Sequence, residues 1–358
     1  MSKAATTLLK RLTAAHGVSG FEDEVREIFT AELAGIGTLD SDNSGSVLCD
    51  LGGKGPTVLV AGHMDEVGFR VQSVTSKGFI KFLAVGGWWG HVLLAQSVTI
   101  KTASGRKIEG IVSSKPPHFL PESERKQVLA LDQMFIDVGA RSREEVEALG
   151  IRLGDPVAPT SSFRALPVKG RYAAKAFDNR VGIAGSIQVA QAVAKKKRPN
   201  RLVVAGTTME EVGLRGARTL ASKVQPDVAL VLECAPADDT PGFDDDPAQA
   251  KLGEGVQIRL HDPTAIMAPR LADLVRSVVE EKKIPHQIAM RSSGGTDAGS
   301  FHLAGDGVPS IVLSTPARYI HSHHAILEIA DYLAMVDLVV ALVAALDAKT
   351  VKGLTDFT

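Results

Sequence analysis

The stretch VLVAGHMDEVGF, residues 58–69, joins an apolar run to a set of chemically active side chains. Its aliphatic part ends at Gly62, and His63, Asp65 and Glu66 follow almost directly. Groups that bind or release protons are costly at the end of a core strand unless something there uses them. A uniformly apolar run that ends in glycine is typical of a central strand in a parallel sheet. The stretch therefore predicts an α/β fold with a polar site at the end of this strand.

The overall composition narrows the class of protein. The chain has 358 residues, enough for two domains or for one large domain with an insertion. Hydrophobic residues make up 44% but aromatic residues only 5%, so the core must consist mostly of Val, Leu, Ile and Ala. The formal net charge of −1 gives no electrostatic reason to expect nucleic acid or an anionic membrane as a partner.

Cysteine content and the apolar segments bear on the compartment. Cys49 and Cys234 cannot form a disulfide framework and fit a reducing environment. The opening residues lack the unbroken apolar core of a signal peptide. The apolar stretch at 333–349 is interrupted by Asp337 and Asp347, which leaves it too short to span a bilayer. These features predict a soluble cytoplasmic protein with no membrane partner.

The pattern along the chain predicts one domain interrupted by another. From about residue 67 to about 163 the chain shows short β-like segments, and residues 98–114 predict two strands joined at Ser104 and Gly105. Alternating buried strands and amphipathic helices return from about residue 170. We therefore expect a catalytic α/β domain of residues 1–66 and 164–358, with a mostly parallel mixed sheet flanked by helices. Residues 67–163 would be an inserted β-rich domain.

A helix start is predicted near the beginning of the chain. Ser19 and Glu22 have the spacing of a capping box, in which each side chain caps a backbone amide of the helix. The amphipathic helix that follows should bury Val25, Ile28 and Phe29.

Acidic or imidazole side chains follow each of the buried-strand candidates, and one more begins a predicted helix. In open α/β sheets ligands bind outside the carboxyl ends of the strands, so these side chains should converge. In chain order they are His63 and Asp65, Asp178 at the helix start, Glu210 and Glu211, Glu233, and His321.

Their chemistry favours a metal centre. Imidazole and carboxylate without thiolate suit zinc, cobalt or manganese. Two histidines and three carboxylates exceed what one tetrahedral ion requires, and they suit two ions about 3.5–4 Å apart that share one carboxylate. A carboxylate outside the ligand set is then needed to move a proton. Glu210 and Glu211 suggest one of each kind, because neighbouring side chains in extended backbone point opposite ways.

Each residue also has an ordinary structural explanation. His63 and Asp65 fit a loop pair, and Asp178 fits a helix N-cap. An ordinary structural role is harder to assign to Glu233, because a carboxylate directly after an apolar run is rarely free in solvent. One shared metal site explains all of these positions together. The segment SSGGTDAGS, residues 292–300, lacks the lysine and spacing of a phosphate-binding P-loop and is interpreted as a backbone turn near the site.

With these residues in view, the sequence resembles the dinuclear-zinc aminopeptidases that include glutamyl aminopeptidase, deblocking aminopeptidase and the tetrahedral aminopeptidases. The matching stretches occur in the order of that family and cover essentially the whole chain. They are GVSGFEDEVR (17–26), AGHMDEVGF (61–69), SSKPPH (113–118), KAFDNRVG (175–182), EEVGLRGA (210–217), ADDTPG (237–242), GGTDAG (294–299) and PARYIHS (316–322).

The resemblance implies a role for each site residue. The two cations per subunit would be zinc by default, with cobalt or manganese as alternatives. The implied roles are His63 and Glu233 on the first ion, Glu211 and His321 on the second, Asp178 bridging both, Asp65 orienting the imidazole of His63, and Glu210 as general base.

The resemblance also implies a zinc-exopeptidase-like fold, short peptide substrates and a homo-oligomer. The insertion would be a β-barrel or PDZ-like lid and dimerisation domain, and the assembly would be dimer-based, up to a tetrahedral dodecamer. One position departs from the family, which usually has aspartate where this chain has Glu233. Glutamate still offers a carboxylate oxygen, so we expect metal binding to survive and substrate preference to stay open.

Three alternative functions remain open at this point. A related two-metal carboxypeptidase or N-acyl amino acid amidase would use the same ligands. An endoglucanase needs two carboxylates around a sugar and has no need of the histidines. A catalytically inactive binding or scaffold protein would have no need of the base.

Overall fold

The computed structural model describes residues 2–243 and 249–358. The helices are α1 (Ser2–Ala14), α2 (Asp23–Leu33), α3 (Glu122–Arg125), α4 (Arg143–Ala148), α5 (Phe177–Val193), α6 (Arg215–Val224), α7 (Pro269–Lys282), α8 (Ala298–Phe301), α9 (Ile329–Ala345) and α10 (Ala348–Leu354).

A mixed sheet forms the centre of the larger unit. Its strands are β1 (Thr38–Ser41), β2 (Val47–Asp50), β3 (Thr57–His63), β10 (Arg164–Ala165), β11 (Arg171–Ala174), β12 (Arg201–Thr207), β13 (Val228–Pro236), β14 (Val256–Asp262), β15 (Ala265–Ile266), β16 (His286–Met290), β17 (Ser310–Arg318) and β18 (Ala325–Glu328). The main path runs β1-β2-β12-β3-β13-β17-β18-β11-β10, and β14 pairs with β17 off this path. Strands β12, β3, β13 and β17 are parallel to one another, so their carboxyl ends share one edge.

Helix α5 lies against the middle of this sheet, and its sequence explains the close approach. The helix contacts β3, β12 and β13. A Cβ atom added at Gly62 would lie 2.7 Å from the backbone carbon of Gly182, a distance that side-chain carbons do not tolerate. Glycine at both positions therefore lets the helix and the central strand pack backbone to backbone, which brings the start of α5 to the end of β3.

The remaining strands close a separate β-barrel. They are β4 (Gly68–Val74), β5 (Ile80–Val85), β6 (Ser97–Lys101), β7 (Lys107–Ser113), β8 (Phe135–Asp137) and β9 (Pro156–Pro159). The barrel has its own buried cluster, which includes Phe69, Phe82, Ile136 and Val157. The predicted hairpin is present, since β6 and β7 pair antiparallel on either side of Gly105. The predicted fold class, a mixed α/β sheet flanked by helices with a β-barrel unit, is confirmed, although the sheet is parallel only in part and most of its outer pairs are antiparallel. The domain limits at residues 66 and 164 stay a prediction.

The predicted capping box is wrong. Helix α2 does begin at Asp23 and buries Val25 and Phe29, but no side chain caps its first turn. Ser19 Oγ instead donates to Asp65 Oδ2 at 2.6 Å. Glu22 Oε1 accepts from the backbone amides of Gly20 at 2.8 Å and Met209 at 3.1 Å. Ser19 bonds to the buried carboxylate because hydrogen bonds to charged groups are stronger than neutral ones.

Among the described residues, no single helix is long and apolar enough to cross a membrane. Helices α9 and α10 meet those criteria only as a pair, and they are bent by 101° relative to one another.

Candidate active site

The carboxyl ends of the parallel strands meet over a cavity of about 390 Å³. Strand β3 ends at His63, and β13 contains Glu233. Glu210 and Glu211 follow β12, His321 follows β17, and Asp178 lies at the start of α5. The cavity is lined by six of the seven predicted site residues, namely His63, Asp178, Glu210, Glu211, Glu233 and His321. The seventh, Asp65, is fully buried behind them. The structure therefore brings together side chains that are up to 258 positions apart in the chain.

Asp178 lies between the two imidazoles. Its Oδ1 is 3.2 Å from His63 Nε2, and its Oδ2 is 3.2 Å from His321 Nε2. Both oxygens of one carboxylate thus face different imidazole nitrogens, as a group shared between two cations would.

The other carboxylates complete two clusters around this aspartate. Glu233 Oε1 is 3.5 Å from His63 Nε2, and Glu211 Oε1 is 3.3 Å from His321 Nε2. Donor atoms of His63, Asp178 and Glu211 lie within 4.8 Å of one another, and so do those of His63, Glu210 and Glu233. Glu210 is therefore near enough to be a ligand by distance alone, with its Oε2 3.8 Å from His63 Nε2.

Unpaired buried oxygens test whether these residues fit a cation. Glu211 Oε1 and Glu233 Oε2 are buried and have no hydrogen-bond partner among the described residues. A buried carboxylate oxygen without a partner costs free energy that a divalent cation would offset. The donor set of imidazole nitrogen and carboxylate oxygen also matches the ligands of zinc and its neighbours. The residues present fit divalent metal ions.

Backbone carbonyls orient both imidazoles. His63 Nδ1 lies 3.1 Å from the carbonyl oxygen of Asp65, and His321 Nδ1 lies 3.0 Å from the carbonyl oxygen of Gly87. A carbonyl only accepts, so each Nδ1 is assigned as the protonated nitrogen and each Nε2 presents a lone pair to the cluster. Gly87 belongs to the loop that follows β5, so the barrel holds one of the two histidines.

The carboxylate of Asp65 organises the backbone under the two adjacent glutamates. Its Oδ1 accepts from the amide of Glu210 at 3.0 Å, and its Oδ2 accepts from the amide of Glu211 at 3.1 Å. Oδ1 also lies 3.3 Å from His63 Nδ1. Burial raises the pKa of Asp65, but hydrogen bonds from His63 and Ser19 outweigh it and hold the pKa below its usual value. The sequence pointed to the contact with His63 and did not reveal the support of the glutamate turn.

Burial and mutual repulsion shape the protonation of the cluster. Burial raises the pKa of Glu210 well above its usual value, against the lowering effect of His63. Burial and the Asp178 carboxylate raise the pKa of Glu211 to about 7. Burial lowers the pKa of His321, but its contacts with Asp178 and Glu211 outweigh burial and raise it to about 11. The negative potential of the carboxylates therefore stabilises positive charge in the pocket, and a divalent cation would meet this need as bound protons do.

Left-handed backbone is concentrated around these residues. Such conformations are uncommon for residues other than glycine and recur at functional sites. Most of the described non-glycine residues with positive φ lie within three positions of a site residue: Ala176, Met209, Leu214, Tyr319 and His321.

Several residues of the site region had no predicted role. Glu66, Lys175 and Arg180 form a buried charged cluster beneath the site, and Arg259 lines the cavity from β14. Lys175 and Arg180 give a sequence signal, because they interrupt an apolar segment on either side of Asp178. Arg259 gives no comparable signal, because its strand also carries Gln257, His261 and Asp262.

The GGTDAG turn lies at the site, as its interpretation from the sequence proposed. Gly294, Gly295 and Thr296 line the cavity. Asp297 is buried behind them and accepts a hydrogen bond from Thr207 Oγ1 at the end of β12. The turn therefore ties the wall of the cavity to the central strands.

Comparison with known proteins places this geometry among peptidases. The family model described as M42 glutamyl aminopeptidase matches residues 45–338. The glutamyl aminopeptidase of Lactococcus lactis is 34% identical over 355 residues, which is 98% of each chain. The crystal structure of a TET aminopeptidase from a marine sediment thaumarchaeote is 40% identical, with a TM-score of 0.96 over 99% of this chain and 100% of that one. The TET1 peptidase of Pyrococcus horikoshii, which can assemble into a tetrahedron or a large octahedral shell, is 30% identical, with a TM-score of 0.86 over 96% of this chain and 100% of that one.

Proposed function

Because this chain belongs to the M42 glutamyl aminopeptidase family and is a peptidase, we propose that it removes N-terminal residues from short peptides by two-metal hydrolysis. The observation that carries the proposal is the placement of Asp178, whose two oxygens face the imidazoles of His63 and His321 at 3.2 Å each. A carboxylate in this position would offer one oxygen to each of two cations, as in hydrolytic two-metal sites.

The contacts support a proposed ligand set for each cation. His63 and Glu233 would hold one cation with Asp178, while Glu211 and His321 would hold the other with the same aspartate. When bound, the pair of cations would polarise the scissile carbonyl and lower the pKa of the attacking water. Zinc is the first expectation for this donor set, and cobalt or manganese fit the same ligands.

Glu210 is proposed as the general base. It borders the same cavity as the ligands, and its backbone amide donates to Asp65 Oδ1, which fixes the turn that carries it. Its raised pKa suits a group that accepts a proton from water and then delivers it to the leaving amine. Asp65 would act behind it, by fixing the turn that carries both glutamates.

The test of this assignment is Glu210→Gln, compared with Glu211→Gln as a matched variant on the neighbouring residue. We expect Glu210→Gln to keep two metal ions per chain and to lower turnover by about 10²–10⁴-fold, the usual contribution of a general base. Glu211→Gln should lose metal as well as activity. Near-normal turnover of Glu210→Gln would refute the base assignment, and loss of one ion from it would make Glu210 a ligand.

The alternatives differ in substrate. A carboxypeptidase would cleave N-blocked peptides with a free C-terminus, and an amidase would cleave N-acetyl amino acids. We expect aminoacyl-anilides to be cleaved and both of those substrates to be resistant. An endoglucanase would act on cellulose in the presence of chelators, because carboxylate chemistry on a sugar needs no metal. An inactive binding protein would show neither turnover nor tightly bound metal.

We also propose a cytoplasmic homo-oligomer in which the barrel unit, residues 67–163, contributes the contact between subunits. Leu83 and Ile111 are 55% and 53% exposed on this unit, more than apolar strand residues usually are. A charge at Ile111 should lower the sedimentation coefficient of the assembly. Val168, which is 55% exposed outside the barrel, is the matched control and should tolerate lysine. Equal behaviour of Ile111→Lys and Val168→Lys would contradict the proposed contact.

A further inference from the structure

The turn that carries the proposed base is held by three consecutive backbone amides, and each of them donates to a buried carboxylate. We call residues 209–211 the catalytic turn. The amides of Glu210 and Glu211 donate to Asp65 at 3.0 and 3.1 Å. The amide of Met209 donates to Glu22 Oε1 at 3.1 Å, across a separation of 187 positions in the chain. A second segment of the chain therefore reaches the catalytic turn, and the proposed hydrolysis assigns it no role.

The backbone of Met209 is in a conformation that residues with a side chain rarely adopt. Its φ of 54° lies in the left-handed region. Such a conformation persists only where the surrounding structure fixes it. Glu22 holds the amide of Met209, and the amide of Arg215 donates to its carbonyl oxygen at 3.2 Å. Because Glu210 follows directly, the path of the chain into the proposed base depends on these two contacts.

Ordinary structural roles do not account for Glu22. It precedes α2, but its side chain caps no amide of that helix. Asp23 and Glu24 already place negative charge in the first turn of α2, where the helix dipole favours it. Burial and the nearby carboxylate of Asp65 raise the pKa of Glu22 to about 7, against the lowering effect of the amides that donate to it. The position therefore disfavours a charge, and what the side chain supplies there is a fixed hydrogen-bond acceptor.

The loop before α2 braces the site at two points. Ser19 Oγ donates to Asp65 Oδ2 at 2.6 Å and so supports the carboxylate behind Glu210. Glu22 supports the amide that precedes Glu210. The amide of Gly20 donates to the same Oε1 at 2.8 Å, which fixes the position of that oxygen relative to the loop. Glu22 is thus a link between this loop and the catalytic turn.

We propose that Glu22 is a positioning residue for Glu210, because its carboxyl oxygen keeps Met209 in the left-handed conformation from which Glu210 reaches the cavity. This inference rests on the proposed function, which makes Glu210 the general base. It assigns the effect of Glu22 to the reach of the side chain and not to its charge. An acceptor at the same distance should therefore serve as well, and a shorter acid should not.

The first experiment separates reach from acidity with two conservative variants of the metal-loaded enzyme. Glu22→Gln keeps the length of the side chain and one acceptor oxygen, whereas Glu22→Asp keeps the acid and withdraws it by one methylene. We expect Glu22→Asp to lower kcat on an aminoacyl-anilide by at least about tenfold, since a displacement of about 1 Å can cost about 100-fold. Glu22→Gln still offers an acceptor and should stay within about threefold of the wild-type kcat. KM and metal content should change in neither variant.

The outcomes that contradict the proposal are distinct. Wild-type kcat in Glu22→Asp would show that the contact has no effect on the base. A loss in Glu22→Gln as large as that in Glu22→Asp would assign the effect to the acid and not to its reach. A rise in KM with kcat unchanged would place the effect on substrate binding. A lost metal ion in either variant would show that Glu22 acts on the ligand Glu211 and not on Glu210.

Asp331→Glu is the matched control. Asp331 is another buried acid that accepts from two backbone amides, those of Gly253 and Gly255, and it lies away from the site. The added methylene changes the reach of its side chain by the same step as Glu22→Asp does. Asp331→Glu should keep the wild-type kcat. A loss equal to that of Glu22→Asp would show a general loss of packing and contradict the role of Glu22.

A change at Met209 tests the route of the effect. Glycine adopts the left-handed region without strain, so Met209→Gly should need the contact with Glu22 less. We expect Glu22→Asp combined with Met209→Gly to have a kcat at least about threefold above that of Glu22→Asp alone. A double variant no faster than Glu22→Asp would show that Glu22 does not act through the conformation of Met209, and the proposal would be wrong.

Hydrogen exchange tests the contact without turnover. The amide of Met209 should exchange at least about tenfold faster in Glu22→Asp than in the wild type or Glu22→Gln, while the amides of β12 keep their wild-type rates. Equal exchange in all three proteins would contradict the proposed hold. If the wild type cleaved no anilide but this exchange pattern appeared, the aminopeptidase proposal would fail while the hold of Glu22 on the catalytic turn stood. Cleavage by the wild type with an unchanged kcat in Glu22→Asp would leave the aminopeptidase proposal standing and overturn the role of Glu22.

Discussion

Lys175 Nζ lies 2.6 Å from each side-chain oxygen of Glu66, in a part of the protein from which solvent is excluded. Arg180 adds a contact of 3.0 Å to the same carboxylate and donates to the carbonyl of Leu12 at the end of α1. Glu66 follows Asp65 directly, and Lys175 and Arg180 flank Asp178. The cluster thus fastens the end of α1, the loop after β3 and the start of α5 to one another, directly beneath the site.

Removal of one member of this cluster should be strongly destabilising. We expect Lys175→Met to lower the free energy of unfolding by about 3–5 kcal/mol, because it removes a principal partner of a buried carboxylate. Chemical denaturation of Lys175→Met, Glu66→Gln and the double variant measures the coupling between the two. The double variant should be less destabilised than the sum of the single changes.

An exposed ion pair is the control for that experiment. Lys223 Nζ contacts Asp40 Oδ2 at 2.7 Å on the surface, and Lys223→Met should destabilise the protein far less than Lys175→Met. If Lys175→Met cost no more than Lys223→Met, the buried cluster would not have the structural role described above.

How much of the fold and of the candidate site could be predicted from the sequence depends on how far apart the interacting residues lie in the chain. The run that ends at His63 predicted a central strand because burial on both faces leaves a local signature in the residues themselves. Topology then predicted that Glu210, Glu233 and His321 would meet, because parallel strands share an edge. The roles of these residues stay proposals, but their convergence is a property of the fold.

Contacts between distant segments were not predictable in the same way. The carbonyl of Gly87 that orients His321 comes from the barrel, and no periodicity in the sequence marks it. Ser19 and Glu22 carried a local capping signal, yet Ser19 bonds to the distant Asp65, and Glu22 accepts from Met209 as well as from its neighbour Gly20. The unpaired Nε of Arg259 is visible only once the packing around β14 is known.

A change at Asp65 should separate folding from metal binding. Asp65→Asn replaces one carboxylate oxygen with an NH2 group, which donates and cannot accept. The side chain then lacks an acceptor for one of the two backbone amides, that of Glu210 or that of Glu211. We expect the variant to fold and to lose about 10–100-fold in metal affinity or activity, as changes behind metal ligands commonly do. Metal titration followed by spectroscopy with cobalt checks this.

Ser19→Ala provides the milder comparison for Asp65. It removes a single donor to the carboxylate and leaves both amide contacts in place. Its effect on metal affinity should therefore be smaller than that of Asp65→Asn. The reverse order would show that the carboxylate does not act through the glutamate turn.

The contact between α2 and the barrel should make stability depend on acid pH. Glu24 lies 2.8 Å from Lys107 Nζ and 2.9 Å from Lys101 Nζ, on the predicted hairpin. Burial raises the pKa of Glu24, but the hydrogen bond from Lys107, with those from the backbone amide of His16 and from Lys101, outweighs burial and lowers the pKa to about 2. Because the folded-state pKa is below the unfolded value of 4.5, the stabilisation is fully present above that value and is lost as the pH falls towards 2.

The partial exposure of Glu24 limits the size of this effect to about 1 kcal/mol. Glu24→Gln should lower the free energy of unfolding by that amount at neutral pH, and the difference from wild type should shrink as the pH falls from 4.5 to 2. Urea denaturation at several pH values measures the difference. A difference that stayed constant across this range would mean that the ion pair does not contribute through its charge.

Asp178 should control both metal ions and, through them, thermal stability. Asp178→Asn keeps one acceptor oxygen but cannot offer an anionic oxygen to each side, so the metal content should fall from two ions per chain to one or fewer.

Chelation should destabilise the wild-type protein, because it leaves the buried carboxylates to repel one another. A cation whose free concentration is 1,000 times its dissociation constant adds about 4 kcal/mol to the free energy of unfolding. The melting temperature of Asp178→Asn should respond much less to the chelator. The control is Asp331→Asn, since Asp331 is a buried aspartate whose oxygens accept from the amides of Gly253 and Gly255, away from the site. That variant should lose some stability and keep its metal content and its response to chelator. If Asp178→Asn still bound two ions, the carboxylate would not bridge them, and the geometry of 3.2 Å on either side would need another explanation.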